Sequence, residues 1–153
     1  MSHLLTAGIL QQARNLAGTP KIRYIRDWAH GSNVNDGNHW REIKAIDKIG
    51  FNHAAFKSAT TNADVIYIIL SLSRAIDNSL NTYARIDNVL AYINIDLGEL
   101  YEIESVVIHH YPGRTYLETK TEVSSDGINW TILFDSAVSG TYAETEEGKT
   151  YIL

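Results

Sequence analysis

Five side chains suited to holding a sugar fall within eight residues: His109, His110, Tyr111, Arg114 and Tyr116, gathered around Pro112 and Gly113. Sugar recognition calls for an aromatic face against the apolar side of a pyranose and for planar or bidentate donors to its hydroxyls, and this run supplies both. Neighbouring strand residues face opposite ways, so only one of the two histidines can point at a given surface, and His110, beside the loop, is the one expected there. The plainer alternative puts Tyr111 and Tyr116 in the core or at its rim and leaves Arg114 in a surface ion pair. A second polar stretch, Asp27 to His39, offers Trp28 and His30 as binding candidates among Asn33, Asn35, Asp36 and Asn38, although its Gly and Asn content also suits a long hairpin. A third, Arg74 to Thr82, mixes carboxylate, hydroxyl and carbonyl oxygens of the kind that calcium gathers about six to eight of. There Asp77 and Asn78 could equally form an Asx turn.

Catalytic signatures are missing. The chain has no His-Glu-x-x-His, no Gly-x-Ser-x-Gly and no Gly-x-Gly-x-x-Gly. Gly148-Lys149-Thr150 is not a phosphate loop, because Ala143 stands where its first glycine would be. Glu144, Glu146 and Glu147 are expected to form a solvated acidic face rather than a glycosidase pair, which needs a fixed separation across a cleft. With no cysteine, disulfides, thiolate zinc sites and cysteine nucleophiles are all excluded, so a metal site must use oxygen or histidine ligands. A net charge of -5 with scattered Lys and Arg argues against nucleic acid as a partner. No apolar run approaches the roughly 20 residues of a membrane span, so membrane insertion is not expected. Met1 to Leu10 lack a basic n-region and a continuous apolar h-region, so no signal peptide is visible and export is expected by another route or with a larger particle.

The elements that must position these groups read in two parts. Ser2, then Leu4, Leu5, Ile9 and Leu16, then Gly18 and Pro20 predict a helix over about residues 3 to 17, with a cap, an apolar stripe and a stop. That stripe either docks on its own domain or joins protomers as the end of an oligomerising stalk. Residues 1–19 are therefore taken as helix and linker, and 20–153 as one domain. After Pro20, short Ile-, Val-, Tyr- and Thr-rich stretches punctuated by Gly, Asn and Asp predict an all-β sandwich. The strands expected are Lys21 to Arg26, Trp40 to Ile46, Ala91 to Leu97, Ser105 to His110, Leu117 to Ser124 and Trp130 to Phe134. Asp64 to Leu72 suits either a buried strand or a helical turn. Ser124-Ser125-Asp126-Gly127 predicts a tight hairpin turn, with Trp130 entering the next strand as a core residue.

Two stretches resemble the discoidin, or coagulation factor V/VIII type C, family of galactose-binding-like jelly rolls, which overlaps with family 32 carbohydrate-binding modules. Ala75-Ile76-Asp77-Asn78-Ser79-Leu80-Asn81-Thr82-Tyr83, followed by Tyr92-Ile93-Asn94-Ile95-Asp96-Leu97-Gly98, is similar to the family's Ala-x-Asp-Gly-x-x-x-Thr-Trp run and its Ile-Asp-Leu-Gly strand. Asn78 and Tyr83 replace the usual Gly and Trp. Ser124 to Trp130 resembles the family's Ser-x-Asp-Gly-x-x-Trp hairpin. Ile22-Arg23-Tyr24-Ile25-Arg26 and Trp40-Arg41-Glu42-Ile43 look like the strands that usually close such domains, and Phe51 to Lys57 like the segment that opens them. The resemblance thus implies a circularly permuted discoidin-like sandwich, which surface termini permit. It also implies one structural calcium ion, held by Asp77, Thr82, the carbonyls of Arg74 and Ser79, and Glu42, with the carbonyl of Arg41 as a further ligand. The segments Tyr111 to Tyr116 and Gly140 to Thr145 look most like domains ending bacteriophage tail fibres.

The function expected is a non-catalytic, lectin-like module that recognises a cell-surface glycan, extracellular or carried on a virion as the receptor-binding part of a tail fibre or adhesin. A structural or assembly domain of a fibre, without sugar binding, is the alternative. Phosphatidylserine binding would need exposed apolar spikes in basic surroundings, which the acidic sequence does not advertise.

Overall fold

The computed structural model describes residues 18–153, and the helix expected over residues 3 to 17 lies outside the described residues. Ten strands follow: β1 (Lys21–Ala29), β2 (Gly37–Ile46), β3 (Ser58–Thr61), β4 (Ile68–Leu70), β5 (Ala84–Asp87), β6 (Ala91–Glu102), β7 (Ser105–His110), β8 (Thr119–Ser124), β9 (Thr131–Asp135) and β10 (Lys149–Ile152). They form two antiparallel five-stranded sheets, ordered β3-β6-β1-β8-β9 and β10-β7-β2-β5-β4. The described residues form an all-β sandwich, as the strand-and-turn pattern implies. Among the described residues, no helix is long and apolar enough to cross a membrane.

Alternation explains which faces meet. In β6, Ala91, Ile93, Ile95 and Leu97 are all fully buried, while Tyr92, Asn94 and Asp96 face outward. β1 and β2 break that period in the same way. Ile22 and Ile25 stand three apart yet both are buried, and the register with β6 shifts between Ile22 and Tyr24. Trp40 and Ile43 repeat the arrangement, with a shift against β7 between Trp40 and Glu42. Between Trp40 and Glu42, β2 advances two residues while β7 advances one, the extra residue of a β-bulge, whereas between Ile22 and Tyr24 the surplus lies on β6, which advances from Tyr101 to Asp96. β1 and β2 lie in the middle of their sheets, and their inward Ile25, Trp40 and Ile43 join Ile93, Ile95 and Ile108 in one core. Each such side chain contributes about 1.5–3 kcal/mol on burial.

Several expectations need correcting. Trp130 is not in the core. It precedes β9 on the outer face, half-buried, with the Arg26 guanidinium 4.1 Å from its ring centroid, and that cation explains why an aromatic side chain can rest there. The turn before it forms as expected, with Gly127 at φ 77°. Asp64 to Leu72 is neither a buried strand nor one helical turn: it splits into the 3-10 turn Val65–Tyr67 and the short edge strand β4, leaving Val65, Ile66 and Ile69 exposed. Leu117 lies outside β8 and is also exposed.

Candidate functional site

The two polar loops that looked separate in sequence are joined at one end of the molecule. Asn33 N donates to Thr115 O at 3.0 Å and Leu117 N to Gly31 O at 3.0 Å, while the Asn33 side chain accepts from Thr115 N at 2.9 Å. On that joined surface Tyr111 is exposed, and the Arg114 guanidinium carbon stands 4.8 Å from its ring centroid. Arg114 Nη1 lies 3.4 Å from both Asn35 Oδ1 and His39 Nδ1. Beneath them, His39 packs against Tyr83, Tyr111 and Tyr116 with ring centroids 5.4, 5.7 and 6.4 Å away. Burial, reinforced by the Arg114 charge, pushes the His39 imidazole down to about 4, so it is neutral at physiological pH and acts as a support for Arg114 rather than a competing cation.

Three members of the sequence cluster do not face solvent. Tyr116 is buried, its hydroxyl 3.1 Å from His39 Nδ1. His110 is buried as well, and so is His109: the alternation holds, but β7 turns His110 toward the core and His109, covered against Gly148, to the opposite face, the reverse of the orientation expected. The reason is electrostatic. His110 Nε2 lies 2.6 Å from Asp27 Oδ2 and Nδ1 lies 2.6 Å from Glu144 Oε1, while Asp27 also accepts from Trp40 Nε1 at 2.8 Å and Thr121 Oγ1 at 2.6 Å. Burial alone would lower the imidazole, but the Asp27 charge and the hydrogen bonds to Asp27 and Glu144 outweigh it and raise His110 to about 10. Glu144, expected on a solvated acidic face, is therefore a core residue, whereas Glu146 is exposed and pairs with Arg41 at 2.8 Å. This network was missed at Asp27 and Thr121. Period two places Asp27 in phase with Ile25 and Ala29, and that was its one signal.

Trp28 and His30 sit on the far flank of the joined loops. Trp28 Nε1 donates to Glu122 Oε1 at 3.0 Å, and His30 Nδ1 lies 3.1 Å from Glu118 Oε2. His30 borders a shallow cleft of about 380 Å³ with Gly31, Asp36, Asn88 and Glu118.

The third set converges on β2. Glu42 is fully buried, and its Oε2 accepts from Asn78 N at 3.2 Å. Asp77 Oδ1 accepts from Ser79 N at 3.1 Å, and Thr82 Oγ1 donates to Asp77 Oδ2. Asn78, at φ 59°, makes the left-handed bend that turns this loop onto the strand. Arg41 uses its guanidinium, with Nε 2.9 Å from Leu80 O, to hold the same loop. Arg74 lies in the 3-10 turn Leu72–Ala75, which packs on β2 and β5. Two observations fit a hard cation between Glu42 and Asp77. Glu42 Oε1 is buried without a hydrogen-bond partner, and burial together with the nearby Asp77 charge pushes its carboxyl up to about 8. A divalent ion would satisfy that oxygen and offset the repulsion. No group of three or more His, Cys, Asp or Glu able to hold a metal occurs among the described residues, so hydroxyl and backbone oxygens would have to complete the shell.

No protein-family model, curated protein or solved structure matches this chain.

Proposed function

We propose that the chain is a non-catalytic carbohydrate-binding module, a discoidin-like jelly roll that recognises a cell-surface glycan through the joined loops 30–36 and 111–118. The observation that carries this reading is Tyr111: an exposed ring, backed by a buried His39 and Tyr116, with the Arg114 guanidinium 4.8 Å away as a planar donor beside it. A pyranose stacks its apolar face on such a ring while a fixed guanidinium takes its hydroxyls. Because Arg114 is positioned by Asn35 and His39, little side-chain freedom is lost on binding. Calcium belongs to the same proposal as a structural ion, with Asp77, Glu42, Thr82 and backbone oxygens as its ligands, clamping the loop to β2 and doing no Lewis-acid chemistry. The resemblance of Tyr111 to Tyr116 to tail-fibre tips supports an extracellular or virion-borne setting, where repeated copies raise a weak single-site affinity.

The test is calorimetric titration of a panel of neutral oligosaccharides into the wild-type protein and the Tyr111→Ala and Arg114→Ala variants. One sugar class binding at micromolar to millimolar levels, weakened about tenfold or more by each variant at unchanged thermal midpoint, is the expected result. Saturable binding that survives both variants would reject this site, and no binding to any sugar would favour a structural fibre domain.

A further inference from the structure

At the opposite end of β2 from His39, the chain turns back through Asp47–Gly50 and builds a second cleft of about 580 Å³. Its walls include Lys44, Phe51, Asn52, His53, Phe56 and Lys57, and no acidic side chain lines it. In a protein of net charge -5 that is a local reversal of sign. Among the described residues, neither lysine has a carboxylate within salt-bridge distance. Asp47, the nearest acid on the turn, is already occupied: it meets His53 Nε2 at 2.8 Å and accepts from Phe51 N at 2.9 Å. Lys57 Nζ instead lies over the Tyr101 ring at 5.6 Å.

The apolar part of the cleft is held stiffly. Phe51 packs edge-on to His53 at 4.8 Å, and His53 stacks on Tyr101 at 4.3 Å, yet Phe51 and Phe56 remain 60% and 75% exposed. Phe56 stands at φ 61°, a strained conformation for a bulky side chain and one that clusters at ligand clamps. It is fixed there by its N–H, which donates to Ile76 O at 2.7 Å. Asn52 commits its Oδ1 to Ala45 N and Ala54 N, while its Nδ2 is buried without an acceptor. The cleft is thus rich in cations and donors and poor in acceptors, beside exposed ring faces.

We infer that this cleft is a second saccharide site, selective for a sugar ring that bears a carboxylate, such as a uronic acid unit of an acidic polysaccharide. The carboxylate meets Lys44 and Lys57, and the apolar face of the ring lies on Phe51, which His53 braces. A neutral sugar would cover the two ammonium groups without giving them a counter-charge, which is unfavourable. An anionic bilayer has the same charge but not the same shape. The cations line a concavity whose volume falls in the range typical of small-ligand sites, and the rest of the acidic surface would be repelled. Neither Tyr111 nor Arg114 lines this cleft.

The experiment is an amide NMR titration of the wild-type protein with sodium glucuronate, with an oligomannuronate and with glucose, repeated on a Lys44→Gln/Lys57→Gln double variant, on Phe51→Ala and on Tyr111→Ala. Vesicles containing phosphatidylserine are added in a parallel sedimentation assay. Expected are shifts at Lys44 and residues 50–57 with the two acidic sugars, an affinity at least about tenfold above that for glucose, and a comparable loss in the double variant and in Phe51→Ala. Tyr111→Ala should leave these shifts intact even where it abolishes neutral-sugar binding, so failure of the loop-end site is read separately. Equal affinity for glucose and glucuronate, unchanged binding in the double variant, shifts confined to residues 111–116, or sedimentation with vesicles in the absence of any sugar response would each overturn the inference.

Discussion

His110 bridges the sheets as an ion: it hangs from β7, and its two nitrogens reach Asp27 on β1 and Glu144 on the loop before β10, all three essentially closed to water. Such a buried charge is stable only while paired, and the two carboxylates are tolerable only while the imidazole is protonated. The sign of its pH dependence follows from the raised folded value of about 10 against an ordinary 6.5. The folded state holds the proton more tightly than the unfolded chain, so this stabilisation is complete below about pH 6.5 and is lost as pH climbs toward 10. Denaturant melts at steps between pH 6 and pH 10 should show stability falling across that window. His110→Gln should flatten the slope and cost about 3–5 kcal/mol near neutrality, because it leaves two acidic groups facing each other in the core. A slope unchanged in the variant would assign the effect to other groups. The sequence offered this histidine as a surface ligand. Strand alternation correctly split His109 from His110, but which of the two turned inward depended on carboxylates 83 and 34 positions away.

At the scale of elements, β2 and the Asp77–Thr82 loop meet through Glu42, and here the sequence was more telling. The Asx turn at Asp77 and Asn78 was readable from residue type alone, and Asp77 Oδ1 does accept from Ser79 N, whereas Thr82, which donates to Asp77 Oδ2, entered only through the resemblance. Glu42, on a different element, was likewise assigned to the loop through the resemblance. Its buried, unpartnered Oε1 makes a discriminating experiment possible. Calcium should raise the thermal midpoint, and chelator or Asp77→Ala should remove that shift. Glu42→Gln should also abolish the calcium response, yet leave the metal-free protein as stable as wild type or more so, because the amide, like the carboxyl protonated below about pH 8, places no charge beside Asp77. A full calcium shift in Glu42→Gln would place the ion elsewhere. Strands with a strong apolar phase, such as β6 and β7, were legible to within a few residues. β3, β5 and β10 were not, since Ser58–Thr61, Ala84–Asp87 and Lys149–Ile152 are four residues each and owe their extension to neighbouring strands rather than to their own pattern.

For the whole molecule, the placement of β1 and β2 matters most. They come first among the described strands but lie at the centres of the two sheets, β1 between β6 and β8 and β2 between β7 and β5. Residues 21–46 therefore complete this chain's own sheets rather than a neighbour's. Their pairing partners are distant in sequence, as with Ile25 against Ile95 and Val123, so the sandwich cannot close until most of the chain is available. The two ends of the described domain are also adjacent: Pro20 O accepts from Ile103 N at 3.0 Å, and Leu153 N donates to Glu104 O at 2.9 Å. A strand order that begins in the middle of both sheets and ends beside its own start is what relocation of the termini within one sandwich would produce. That geometry makes a direct prediction. A chain that opens at Phe51, runs to Leu153, continues through a short Gly-Ser linker into Gly18 and ends at Ile49 keeps every pairing of both sheets and breaks only the exposed Asp47–Phe51 turn. It should fold to the same far-ultraviolet spectrum and unfold cooperatively, with a loss of about 1–3 kcal/mol from the severed turn and the linker. The titration at Tyr111 and Arg114 should be unchanged, because those loops are at the other end. An aggregated or non-cooperative product would mean that β1 and β2 must lead the chain to fold it, and the permuted reading would lose its physical basis.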